Sequence, residues 1–259
     1  MAPAPGGMHA HGERAAAWAS PPCGNARSPE RLDPRMTTIG IIGSGNIGSQ
    51  LAHALTRIGH DVVVANSRGP ASLGELVTTV NEHARAAGSA ASATAGTVEE
   101  AAQAGELVVV TIPLKAVTDI PAHLLEGRIV IDTNNYYPQR DGQIAELDDE
   151  STTTSELVAR HFAGARVVKA FNHIPATEIA DHAQAPGTEG RRALAVYGDD
   201  TGAVEQVSGL IDAIGFDVVN GGGLAESWRI QRDTPGYIPR FTAEELTAKL
   251  AEAKRYRDM

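Results

Sequence analysis

The feature that most constrains this chain is a glycine spacing in a fixed setting. The apolar run Thr38-Ile39-Gly40-Ile41-Ile42 leads directly into Gly43-Ser44-Gly45-Asn46-Ile47-Gly48, and the residues from Asn46 to Ile58 carry the apolar period of an amphipathic helix. A Gly-x-Gly-x-x-Gly turn between a strand and a helix assigns each glycine a task. Gly43 permits the tight turn, Gly45 lets backbone approach a pyrophosphate, and Gly48 allows helix and strand to touch. The helix N-terminus adds unpaired N–H groups and the positive end of the peptide dipole. Gly43, Ser44, Gly45, Asn46, Ile47 and Gly48 are therefore expected to cradle the phosphates of a dinucleotide.

From Thr37 onward, short β-type runs alternate with helical stretches, the pattern of βαβ units. Strands are expected at 38–42, 61–65, 107–112, 128–132, 166–170, 193–197 and 217–220, with a weak one near 91–94. Helices are expected at 46–58, 73–87, 98–104, 155–162, 203–214 and 243–256. Thr97 with Glu100, Thr153 with Glu156 and Thr242 with Glu245 have the spacing of capping boxes. The predicted architecture is α/β, a Rossmann doubly wound and mostly parallel sheet in one domain over residues 36–222. Residues 223–259 form a short helical C-terminal segment packed on it. Residues 1–35, rich in Ala, Pro, Gly and Arg without apolar period, are expected to be a disordered extension, and Met36 is a natural start for the folded part. His9 and His11 read as solvated tail residues.

The end of the second strand bears on the choice of dinucleotide. An NAD site usually places Asp or Glu there, on the ribose 2′-hydroxyl. Here the strand runs into Asn66-Ser67-Arg68, and Asp61 lies at the wrong edge. Arg68 can bond a 2′-phosphate with charge assistance, and Ser67 and Asn66 add neutral hydrogen bonds, which favours NADP(H).

Ligands of an open α/β sheet bind outside the carboxyl ends of its strands. Those ends carry Thr111, Ile112 and Pro113, then Asp132-Thr133-Asn134-Asn135-Tyr136-Tyr137, then Phe171-Asn172-His173. Thr111, Ile112, Pro113 and Asn134 are expected to line the nicotinamide end. His173 is the single candidate for a titrating group near the chemistry, with Asn134 beside it, and Lys169 can point to either face. Glu146, Asp148, Asp149 and Glu150 read as a solvated acidic loop. No triad, paired carboxylates or metal-ligand cluster can be assembled, which suits hydride transfer between two cofactors, where positioning and exclusion of water do most of the work.

A net charge of −10 with no basic run speaks against nucleic acid or an anionic membrane as partner. The single cysteine, Cys23, cannot form an internal disulfide and fits a cytoplasmic setting. No apolar stretch reaches the roughly 20 residues that span a bilayer. The expected partner is a small-molecule redox acceptor.

The turn at 43–48, Ala65-Asn66-Ser67-Arg68-Gly69-Pro70, Asp132-Thr133-Asn134-Asn135-Tyr136-Tyr137-Pro138 and Val168-Lys169-Ala170-Phe171-Asn172-His173 together resemble the NADPH-dependent reductases of the deazaflavin coenzyme F420. That group is also similar to the cytosolic domain of membrane-bound ferric reductases. The resemblance covers Thr37 to Trp228. It implies a Rossmann fold, NADP(H) held at Ser67 and Arg68, hydride transfer between nicotinamide C4 and deazaflavin C5, and a homodimer. A flavin, quinone or ferric acceptor stays open, as does a non-catalytic NADP(H)-binding sensor. Hydroxy-acid and imine reductases begin with a similar half but add a long helical domain, and fewer than forty residues follow Asn220.

Overall fold

Eight strands form one sheet in the order β3-β2-β1-β4-β5-β6-β7-β8. They are β1 (Thr38–Ile42), β2 (Asp61–Ala65), β3 (Ala93–Ala95), β4 (Leu107–Val110), β5 (Ile129–Asp132), β6 (Arg166–Lys169), β7 (Ala193–Gly198) and β8 (Asp217–Asn220). Neighbouring strands are parallel except β6 and β7. The helices are α1 (Asn46–Arg57), α2 (Gly74–Ala86), α3 (Val98–Gln103), α4 (Pro138–Asp141), α5 (Ala145–Asp148), α6 (Thr154–His161), α7 (Glu178–Asp181), α8 (Thr201–Ile214) and α9 (Ala243–Glu252). This is a computed structural model that describes Met1 and residues 37–255. The expected extension with His9, His11 and Cys23, and Tyr256 at the expected end of the last helix, lie outside the described residues.

Burial on both faces explains why the central strands read as unbroken Val and Ile. Ile39, Ile41, Leu107, Val109, Ile129, Ile131 and Val168 point into one core, which also holds apolar side chains of α1, α2 and α8. Ile42, Val108, Val110, Val130 and Val167 point into the other, with Ala101, Ala102, Val158 and Phe162. Strand side chains alternate, so Asp132 shares the face of Val130, and Lys169 that of Val167. That is the face covered by α6.

The C-terminal segment packs on β7. Ile230, Leu246 and Leu250 cluster with Ala193, Ala195 and Tyr197.

Two expectations need correction. β4 ends at Val110, two residues early: Thr111 N–H still donates to Ile42 C=O at 2.9 Å, but Pro113 has no N–H, and a 3-10 turn begins at Leu114. The predicted acidic loop contains a helical turn, α5, and its acids have partners: Glu146 takes two hydrogen bonds from Arg160, and Asp148 accepts from Tyr136 Oη. The segment around Trp228 is a 3-10 helix over Leu224–Ile230.

Candidate functional site

The glycine turn has the geometry its spacing predicts. Gly43 has φ +118°, where a side chain would be strained, and a Cβ there would stand 2.2 Å from Thr111 C=O. A Cβ on Gly48 would fall 2.0 Å from Gly43 C=O, so the helix can meet the turn only without one. Gly45 is different: nothing lies within 4 Å of where its Cβ would be, leaving the backbone open to a ligand. As N-cap of α1, Gly45 supplies no side-chain cap, and the first turn carries no acid. The orphan N–H groups there are suited to phosphate oxygens. Asn46 is exposed beside them, while Ile47 is partly buried and packs on the core.

The loop after β2 is tied to this turn. Gly43 N–H donates to Ala65 C=O at 2.8 Å, and Asn66 Nδ2 donates to Ser44 Oγ and Ser72 Oγ, each at 3.0 Å. Asn66 Oδ1 accepts from Arg68 N–H at 2.9 Å and from Ser72 Oγ at 3.2 Å. The Asn66 amide is thus committed to shaping the loop, which leaves Ser67 and Arg68 as the exposed donors. Among the described residues no carboxylate pairs with the Arg68 guanidinium. Asp61 lies at the other end of β2, where it accepts from Ser92 N–H at 2.7 Å, so it cannot serve a ribose.

Thr111 and Ile112 lie beside Gly43, both partly buried, and Pro113 is exposed. Past them, the ends of β5 and β6 hold a buried polar network. Asp132 and Lys169 are directly paired in the β5–β6 register and are 0% and 1% exposed. Asp132 Oδ2 accepts from Lys169 Nζ at 3.1 Å and from Ser155 Oγ at 2.7 Å. Oδ1 accepts the backbone N–H of Asn134 at 2.8 Å and its Nδ2 at 2.7 Å. Lys169 completes its set on Thr154 Oγ1 at 3.0 Å and on the Asn134 backbone carbonyl. Burial lowers the Lys169 pKa, and the Asp132 charge opposes that shift. Sequence reasoning left Lys169 undecided. The available signal was a charge closing each of two strands, Ile129-Val130-Ile131-Asp132 and Arg166-Val167-Val168-Lys169, whose central positions are Val and Ile.

His173 does not stand where it was expected to act. It is 2% exposed, and its Nε2 accepts the Ala195 N–H from β7 at 3.0 Å. Burial, with smaller contributions from the Arg192 and Lys169 charges, pushes its pKa down to about 3. A neutral ring bound to a strand backbone fastens β7 and exchanges no proton at the crevice. Phe171, at φ +59°, turns the chain after β6, and Asn172 Nδ2 then donates to Asn135 Oδ1 at 3.1 Å and to Ile230 C=O at 2.8 Å. Tyr137 Oη lies 2.9 Å from Tyr237 Oη, a contact with the C-terminal segment that no local pattern signals.

A cleft of about 410 Å³ lies alongside, lined among others by Tyr136, Thr154, Trp228, Gln231, Arg232 and Arg255. Thr154 links it to the Lys169 network. Among the described residues no group of three or more His, Cys, Asp or Glu could hold a metal ion, and no helix is long and apolar enough to cross a membrane.

Comparison with known proteins agrees with this geometry. The family model described as NADP oxidoreductase, coenzyme F420-dependent, matches residues 38–136. The hypothetical protein SMa0349 of Sinorhizobium meliloti has a crystal structure that is 33% identical, with a TM-score of 0.65 over 80% of this chain and 96% of that one. The protein YjhV of Escherichia coli (strain K12) is 40% identical over 78 residues, 30% of this chain and 57% of YjhV. Metalloreductase STEAP3 of Rattus norvegicus is 29% identical over 212 residues, 81% of this chain and 39% of STEAP3. The chain therefore spans only 57% and 39% of those two curated relatives. Residues 38–136 of this chain thus match the coenzyme F420-dependent NADP oxidoreductase family, within a sheet order and glycine turn of the dinucleotide-binding fold.

Proposed function

We propose that this protein is an NADPH-dependent oxidoreductase that moves a hydride between the nicotinamide and a planar redox acceptor, with the deazaflavin coenzyme F420 as the leading acceptor. The observation that carries the reading is the open Gly45 backbone at the N-terminus of α1, linked through Ser44 and Asn66 to the exposed Arg68. NADP(H), when bound, supplies the hydride. The chain's own part is to hold the pyrophosphate at residues 43–48, meet the 2′-phosphate with Ser67 and Arg68, and floor the nicotinamide end with Thr111, Ile112 and Asn134. Pro113 edges the same floor. With His173 withdrawn from the crevice, these residues bind and orient and provide no acid–base group.

The cleft beside Trp228 favours a second acceptor class. Its lining includes four acidic residues, Asp148, Asp149, Glu150 and Asp233, and two arginines, Arg232 and Arg255, with Arg232 paired to Asp233 at 2.9 Å. That balance disfavours a polyanionic tail and suits a flavin, a quinone or a ferric chelate.

The test incubates the protein with NADPH and a deazaflavin, flavins, quinones and ferric chelates in turn, following absorbance at 340 nm. Oxidation with one acceptor and none without it is expected. Tight NADPH binding without oxidation by any acceptor contradicts the enzyme reading and identifies a redox sensor.

A further inference from the structure

We infer that the side-chain carbonyl of Asn134 accepts the carboxamide N–H of the nicotinamide, and that the buried Asp132–Lys169 pair is the positioning element that holds it there; this rests on the dinucleotide reading above. Four buried side-chain atoms lack a hydrogen-bond partner among the described residues: Asn134 Oδ1, Arg192 Nε, Tyr197 Oη and Gln206 Oε1. Only the first follows β5 at the ligand-binding end of the central strands.

Its orientation is forced. Nδ2 and the backbone N–H of Asn134 both donate to Asp132 Oδ1, at 2.7 and 2.8 Å. Reversing the amide would press its oxygen against a carboxylate. Asn134 is 2% exposed, so its Oδ1 is a fixed, desolvated acceptor. Leaving such a group unmet forfeits the hydrogen bond that folding would otherwise supply, which is why buried orphan acceptors are rare.

The structure committed to this amide is large. Asp132 receives four hydrogen bonds and Lys169 gives three, drawing on β5, β6, the 133–134 loop and the first turn of α6. An apolar pair of similar size would close the core at less desolvation cost. What the charged pair adds is a rigid seat for Asn134.

The position selects the ligand chemistry. β4 lies between β1, which ends in the phosphate turn, and β5, which ends at Asn134. A dinucleotide extended across the carboxyl ends therefore brings its nicotinamide toward Asn134. The carboxamide NH2 is a donor, and an acceptor that cannot itself donate discriminates against any group lacking that hydrogen.

The test measures dissociation constants, by tryptophan fluorescence, for three ligands: NADP+, its 3-acetylpyridine analogue, which has methyl in place of NH2, and 2′-phospho-ADP-ribose, which lacks the ring. The wild-type protein is expected to bind NADP+ about tenfold or more tighter than the acetyl analogue. Asn134→Ala is expected to weaken NADP+ to the level of the analogue, leaving the analogue and 2′-phospho-ADP-ribose unchanged. Lys169→Met is expected to shrink the same ratio, which a merely structural role would not move. Equal binding of NADP+ and analogue by the wild type overturns the inference without any variant, and so does a ratio that persists in Asn134→Ala. If 2′-phospho-ADP-ribose binds throughout, the dinucleotide reading stands in either case. If none of the three ligands binds, that reading fails and this one falls with it.

Discussion

Lys169 stands where a strand covered on both faces ordinarily carries another valine, and its partner decides what removing it would do. With Asp132 wholly buried opposite, Lys169→Met strands a carboxylate in the core, an outcome that typically costs about 3–5 kcal/mol. Urea unfolding should show a loss of that order, and adding Asp132→Asn should recover part of it. Additive losses would mean that the pair does not act as a unit. Gly48 makes the complementary case, in which one methyl group is too much. Gly48→Ala forces Gly43 C=O away from a contact of 2.0 Å, so dinucleotide affinity should fall at least tenfold in a titration. His173 links burial to pH. Its proton is bound near pH 6.5 when unfolded and only near pH 3 when folded, so the unfolded chain holds more protons between those values. Stability is therefore full above pH 6.5 and declines as pH falls, by up to about 1.4 kcal/mol per unit from this group. His173→Gln, which keeps an acceptor for Ala195 N–H, should lose that share of the slope in melts at pH 4 to 7. An unchanged slope would show that the ring is not held neutral.

Among the elements, α6 matters most to the site, because its first turn supplies Thr154 and Ser155 to the Lys169–Asp132 pair. Its cap does more than end a helix. Thr153 Oγ1 accepts from Glu156 N–H at 3.1 Å and also donates to Leu224 C=O at 3.1 Å, fastening the C-terminal segment. Thr97 caps α3 in an exposed box, and among the described residues its hydroxyl has no hydrogen bond beyond the box. Thr153→Ala should therefore destabilise the fold more than Thr97→Ala in urea unfolding, the former by about 1–2 kcal/mol and the latter by about 1 kcal/mol. Equal losses would show that the bond to Leu224 contributes nothing. The same contrast explains what the sequence could tell. Strands such as Leu107–Val110 and the three Thr/Glu capping boxes are readable because composition and spacing within a few residues specify them. The turns at Leu114–Asp119 and Ala122–Leu125 and the helices α4, α5 and α7 are too short to carry a period.

At the scale of the whole molecule, the glycine turn after β1 was legible in the sequence and the polar network after β5 and β6 only in part. The turn at residues 43–48 and the adjoining loop at 66–68 could be placed in the fold because a strand, a turn and a helix adjoin in sequence. The partnership of Asp132 with Lys169 spans 37 positions and exists only because β5 and β6 are neighbours in register, and Tyr137 meets Tyr237 across 100. The withdrawal of His173 has the same origin: β7 returns antiparallel to β6, and its Ala195 N–H claims the ring. The sheet order puts the glycine turn after β1 and Asn134 after β5, with β4 between them. The most direct measurement of that arrangement is the ratio of dissociation constants for NADPH and NADH, taken by calorimetry on the wild type and on Arg68→Ala. The account predicts at least a tenfold preference for NADPH that collapses to near unity in the variant. Equal affinities in the wild type, or a preference that survives the loss of Arg68, would contradict it.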